Sequence, residues 1–169
     1  MWLVKYWKEH PEKRPKNCRL VLMGIGSEES GLKGSFAFVE RHKEDLLAKD
    51  KNPWVLILDG IGDKDFVHVV NGDDWLSTKY DPVLCNLADE AMTELGIEHD
   101  TIKNPAGGTD AAAYARAGIK AVCLAAQNPQ PGNNYHTKYD TLERIEKEAT
   151  LRVSKSALKL VEKLYEHIH

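Results

Sequence analysis

Three short apolar runs, each closed by glycine or polar residues, constrain this chain more than anything else in it. They fall in Arg19–Ile25, Trp54–Leu58 and Ala121–Ala125. Runs this short, and apolar at nearly every position, have the pattern of strands buried on both faces. Helical spacing fills the intervals. Ser35–Ala48 carries Phe36, Val39, Leu46 and Leu47 as its buried members. Asp81–Leu95 opens on Asp-Pro and is closed by Gly96, and the alanine-rich Thr109–Ala117 stops at Gly118. Strands alternating with helices predict an α/β fold: three layers, α/β/α, around a mostly parallel (mixed) central sheet.

The remaining stretches fit around this frame. Residues 2–9 read as a short amphipathic helix with Trp2, Leu3, Tyr6 and Trp7 near one face, broken by His10-Pro11 and Arg14-Pro15. Phe66–Val70 reads as a strand ending at the turn signal Asn71-Gly72. Its link to the Trp54 run is too short for a helical crossover, which predicts an antiparallel neighbour. Ile97–Ile102 reads as a short edge strand. Asp140 and Glu143 stand at capping-box spacing before a long helix from about Leu142 to Tyr165. Leu142, Ile145, Ala149, Val153, Ala157, Leu160, Val161, Leu164 and Ile168 would form its packing face. With 169 residues, the chain is read as one domain spanning 1–169.

Charge and composition narrow the partners. A net charge of -3 supplies no basic field for nucleic acid or an anionic membrane surface. No apolar run approaches the roughly 20 residues of a membrane span. Cys18, Cys85 and Cys123 are odd in number, widely spaced and mostly set in apolar runs, the pattern of buried free thiols. A cytoplasmic setting is the corresponding expectation. His42, His68, His167 and His169 are read as structural or solvated, and His10 and His99 as surface connectors.

In an open α/β sheet, ligands bind beyond the carboxyl ends of the strands. Three predicted strand ends carry polar candidates: Glu28 and Glu29 after the first run, Asp59 after the second, and His136 in the loop after the last. Taken alone, the Glu28-Glu29 doublet reads as acids complementing a helix start. Asp59 before Gly60 reads as a turn former. Together on one sheet edge they make the carboxylate-plus-imidazole set that zinc accepts. In such a set one carboxylate binds the ion while its neighbour handles protons on water.

Four segments resemble a known family. Gly26-Ser27-Glu28-Glu29-Ser30-Gly31-Leu32-Lys33-Gly34-Ser35 is similar to the Gly-x-Glu-Glu-x-Gly-Leu-x-Gly-Ser signature of zinc aminopeptidases with two co-catalytic metals. That family includes bacterial leucyl aminopeptidases, aminopeptidase Y and glutamate carboxypeptidase, with glutaminyl cyclases as relatives. Leu58-Asp59-Gly60-Ile61-Gly62 and Tyr135-His136-Thr137-Lys138-Tyr139-Asp140-Thr141-Leu142 resemble two further segments of it. Gly107-Gly108-Thr109-Asp110-Ala111 resembles a fourth, in the form found in deblocking and glutamyl aminopeptidases. The resemblance implies Glu28 as general base, Glu29 and His136 as ligands of one zinc, and Asp59 as a ligand of the other. Asp110 and Tyr135 take supporting parts, Tyr135 at the oxyanion. The implied reaction is hydrolysis of a peptide substrate, most simply release of amino-terminal residues.

The family pattern also has a His-x-Asp motif and a metal-bridging Asp ahead of the Glu-Glu turn. None of the 27 residues before Glu28 fits either; His10 is followed by Pro11. The chain therefore reads as the carboxyl-terminal portion of such a domain, truncated at its amino-terminal side. It is expected to bind one zinc weakly or none and to show little activity alone. An unpaired sheet edge would favour a homo-oligomer or a complementing chain. The alternatives are a non-catalytic interaction module on the same scaffold, and a glutaminyl-cyclase-like enzyme using one zinc.

Overall fold

The computed structural model describes residues 2–105, 107–128, 130 and 134–168. The terminal His169 lies outside the described residues, as does the side chain of Trp2. In chain order the elements are α1 (Trp2–Glu9), α2 (Lys33–Leu46), β1 (Trp54–Ile61), β2 (Val67–Asp73), β3 (Thr78–Lys79), α3 (Pro82–Glu94), β4 (Asp100–Asn104), α4 (Ala111–Arg116), β5 (Lys120–Ala126) and α5 (Lys147–Ile168). No helix among the described residues is long and apolar enough to cross a membrane.

The sheet runs β1, β5, β2, with β3 and β4 both pairing to β2. β1 lies parallel to β5, with Asp59 opposite Ala125, and β4 lies parallel to β2. β2 is antiparallel to both β5 and β3. The sheet is therefore mixed, with the parallel ladders together longer than the antiparallel ones. The expected antiparallel entry of β2 is seen, but beside β5, since β5 inserts between β1 and β2. Ala121, Val122, Cys123 and Leu124 are all fully buried, so β5 is covered on both faces. α3 packs on α5 and both pack on the sheet; α2 packs on α4, which packs on β5 and β1. These two helix pairs make the outer layers.

Local chemistry explains most boundaries. Asp81 caps α3 by accepting the Leu84 amide at 2.9 Å, Pro82 follows, and Gly96 ends the turn at φ +65°. Gly118 closes α4 at φ +80°. Trp7 of α1 is buried, and Val39 is the buried apolar residue of α2, while Leu47 is exposed.

Four expectations need correction. Arg19–Ile25 is not a strand: it forms no ladder, and Leu20, Val21, Leu22 and Met23 are 36–59% exposed. A strand buried on both faces needs neighbours on both sides, and among the described residues β1 pairs only with β5. Asn71-Gly72 is not the turn after β2, because β2 continues to Asp73; a Cβ on Gly72 would stand 2.4 Å from the Thr78 carbonyl oxygen across the hairpin. The final helix begins at Lys147, preceded by a separate 3-10 turn at Leu142–Arg144. Leu142 and Ile145 are thus exposed, while Ala149, Val153, Ala157 and Leu160 form the buried stripe. His99 is not a solvated connector: its imidazole bonds the Ile97 carbonyl at 2.8 Å and Asp89 at 3.1 Å. Of the thiols, Cys85 and Cys123 are buried and Cys18 is exposed; all three are free.

Candidate metallopeptidase site

The Glu28-Glu29 doublet sits in a tight turn between the exposed coil and α2. The Glu28 carbonyl accepts the Gly31 amide at 3.0 Å and the Leu32 amide at 2.8 Å, and Ser27 accepts Lys33 at 3.1 Å. Ser27 and Leu32 adopt left-handed backbone, φ +59° and +57°, conformations that cost free energy for residues with a Cβ. Gly34 is required where it stands: a Cβ there would lie 2.0 Å from the Gly26 carbonyl oxygen. The motif's glycines therefore let the turn fold back on the start of α2.

Asp59 ends the regular part of β1. A bulge follows at Gly60, φ +55°, where a Cβ would strike the Gln127 side chain at 2.2 Å. His136 lies in the loop after β5, also left-handed at φ +57°. Its Nε2 lies 3.0 Å from both carboxylate oxygens of Glu29, and Tyr135 stacks on its ring at 3.8 Å. The Glu29 and His136 side chains are 71% and 55% exposed. β1 and β5 run in parallel, so Asp59 and the His136 loop leave the same sheet edge.

Charge defines the site. Burial pushes the Glu28 carboxyl up to about 7, helped by Asp59, Glu29 and Asp110 and opposed by His136. Burial likewise raises Asp59, with Asp110 and Glu29 adding to the shift and the Gly60 amide opposing it. The Tyr135 hydroxyl is pushed up to about 12 by burial and then by Glu29, Asp59 and Glu28. Carboxylates thus act on one another with one imidazole among them, a donor chemistry that suits a hard or borderline cation. The fit is to part of a coordination shell: among the described residues, no three His, Cys, Asp or Glu side chains come together to hold a metal.

Asp110 is placed differently from the other candidates. It is buried and accepts a hydrogen bond from the buried Ser35 hydroxyl of α2. Sequence reading passed over Ser35, although it closes the Glu-Glu motif, and over Thr109, which precedes Asp110. Ser35 bonds Asp110, and Thr109 takes part in a buried polar chain with Tyr80 and Asp73. The usable signal was the recurrence of Ser and Thr inside the two glycine-rich motifs.

Glu29 and His136 are thus in contact, with Glu28 and Asp59 near enough to act on the same group of charges, in an α/β fold. Residues 2–161 match peptidase family M28, and the chain belongs to that family. The fold is similar to the LapA aminopeptidase of Legionella pneumophila (TM-score 0.68, 22% identity, 83% of this chain and 38% of that one). It is similar also to BSAP, a zinc aminopeptidase from Bacillus subtilis (0.65, 22%, 83% and 34%). The aminopeptidase from Aneurinibacillus sp. strain AM-1 is a third (0.62, 24%, 82% and 32%). The chain spans roughly a third of the length of these structures. None of the curated proteins matches it.

Proposed function

We propose that this chain carries the proton-handling and part of the metal-binding apparatus of a zinc aminopeptidase acting on peptides. The observation supporting this most directly is the meeting of Glu29 and His136 at 3.0 Å beside a Glu28 carboxyl pushed up to about 7. Family membership supplies the reaction class; fold likeness alone would not.

In this reading Glu29 and His136 hold one zinc and Asp59 contributes to a second, with the remaining donors supplied from outside these residues. A bound zinc would polarise the scissile carbonyl and acidify the attacking water. Glu28, poised near neutrality, accepts a proton from that water on a carboxylate oxygen and returns it to the leaving amine. Tyr135, beside His136, is set to donate its hydroxyl to the developing oxyanion. Two donors on one ion fall short of the three that catalytic zinc normally keeps. The isolated chain is therefore a weak binder of one ion and a poor catalyst, acting as one incomplete domain. The edge of β1, unpaired among the described residues, and the exposed Leu20–Met23 run favour self-association or a complementing chain.

The test is an assay of zinc-supplemented protein on aminoacyl-anilides, in parallel with a peptide bearing amino-terminal glutamine. Slow anilide hydrolysis, lost in Glu28→Gln, supports the proposal. Cyclisation of the glutamine peptide in place of hydrolysis would replace it with the one-zinc cyclase reading. No zinc uptake and no turnover would leave a non-catalytic scaffold.

A further inference from the structure

The loop Gly107–Asp110 is gripped from two sides by elements far from it in sequence. On one side the Thr109 hydroxyl lies 2.6 Å from the Tyr80 hydroxyl, and Tyr80 donates to the Asp73 carboxylate. The same carboxylate oxygen accepts the Thr109 amide at 3.4 Å. On the other side Asp110 accepts the Ser35 hydroxyl. Gly108 is wedged between the two: a Cβ there would stand 2.4 Å from Leu76 Cδ1 in the β2–β3 hairpin and 3.3 Å from Leu32 Cδ1. Ser35, Asp73, Tyr80, Thr109 and Asp110 are each at most 8% exposed.

The Glu28-Glu29 turn has little else to orient it. Its backbone hydrogen bonds are local, within residues 27–36, its long-range bond from Glu29 to His136 joins two exposed side chains, and the coil before it joins no ladder among the described residues. Within residues 27–35 the buried residues are Leu32 and Ser35, the two that meet the Gly108–Asp110 loop. Burying Asp73, to which no ion pair runs among the described residues, is a costly way to build a hairpin. The Tyr80 hydroxyl and the Thr109 amide offset part of that cost, and because hydrogen bonds are directional they hold the loop at one angle where apolar contact alone would let it slide.

We propose that Asp73, Tyr80 and Thr109 are positioning residues for the Glu28-Glu29 turn, acting through Asp110–Ser35 and Gly108–Leu32. The β2–β3 hairpin thus sets the direction in which the two glutamates leave α2. The importance of that direction rests on the function proposed above, whereas the mechanical link itself does not.

Amide hydrogen exchange on the whole chain tests the link without metal or substrate. Removing the hydroxyl in Tyr80→Phe is expected to speed exchange of the Gly31, Leu32 and Lys33 amides about tenfold, leaving Val69 and Leu124 in the central strands unchanged. Ser35→Ala, cutting the chain at its other end, is expected to give the same local pattern, and Thr109→Ser to retain wild-type rates. Unchanged turn amides, or equal acceleration everywhere, would overturn the inference and leave the network a general stabiliser. Should Tyr80→Phe not fold, the Ser35→Ala comparison decides. Calorimetric zinc titration is the companion measurement: Tyr80→Phe is expected to lose about tenfold in affinity. A wild-type chain taking up no zinc would count against the proposed function, and the exchange data would still judge the link.

Discussion

His136 Nε2 lies 3.0 Å from both carboxylate oxygens of Glu29, across 107 positions of sequence. Two exposed side chains from distant segments are brought into contact, with His136 on a left-handed backbone. The ion pair itself contributes little to stability, since both members are more than half exposed.

His136→Ala should therefore leave the thermal midpoint nearly unchanged while abolishing zinc binding. Calorimetric titration of the metal-free wild-type chain should show at most one ion, bound weakly. Two tight sites per monomer would contradict the count of donors.

Stability should depend on pH in a direction set by raised carboxyl pKa values. Glu28 is pushed from its ordinary 4.5 to about 7, and Asp59 and Asp73 are raised as well, burial being the largest cause in each. Between those values the folded chain holds a proton that the unfolded chain has lost. This contribution is fully present below pH 4.5 and is lost as pH rises through about 7. With chelator present, the thermal midpoint should fall between about pH 5 and pH 8, and Glu28→Gln should flatten part of the fall. A midpoint rising over that range in the wild type would refute the assignment.

Gly34→Ala should disturb the site more than any exposed substitution in the turn. Its Cβ would lie 2.0 Å from the Gly26 backbone oxygen, a contact that only backbone movement relieves. A loss of about 1–3 kcal/mol in denaturant melts is expected, with zinc binding lost. Wild-type binding in a stable Gly34→Ala protein would show that the turn has room to spare.

The stripe of α5 offers a contrast within one helical pattern. Leu160 is 1% exposed and Leu142 is 79% exposed. Leu160→Ala should cost about 2–5 kcal/mol, and Leu142→Ala should stay within about 0.5 kcal/mol of wild type. Equal effects would mean that Leu142 has a partner beyond those described.

The order of elements was readable from local chemistry. Asp81, Pro82 and Gly96 bound α3 because a cap, a fixed φ and a left-handed residue act within a few positions. The site candidates were proposed for a similar reason, since Glu28, Asp59 and His136 each follow an apolar run that ends in a turn. Arg19–Ile25 was misread because an apolar run reports a capacity for burial and says nothing of whether a neighbour is present to use it. Leu142 and Ile145 were misassigned to a buried face because helical spacing runs unbroken through the Ile145–Glu146 break.

By itself, then, the sequence determined that this chain is an α/β protein with an acidic turn ahead of a helix, and with an aspartate and a histidine that follow apolar strands. Those features come from periodicity and from residues that act locally. Tertiary structure alone decided that Glu29 meets His136, that Asp110 holds Ser35 and that β5 stands between β1 and β2. These are contacts across many tens of residues, set by which faces find cover in the packed core. No spacing along the chain encodes them.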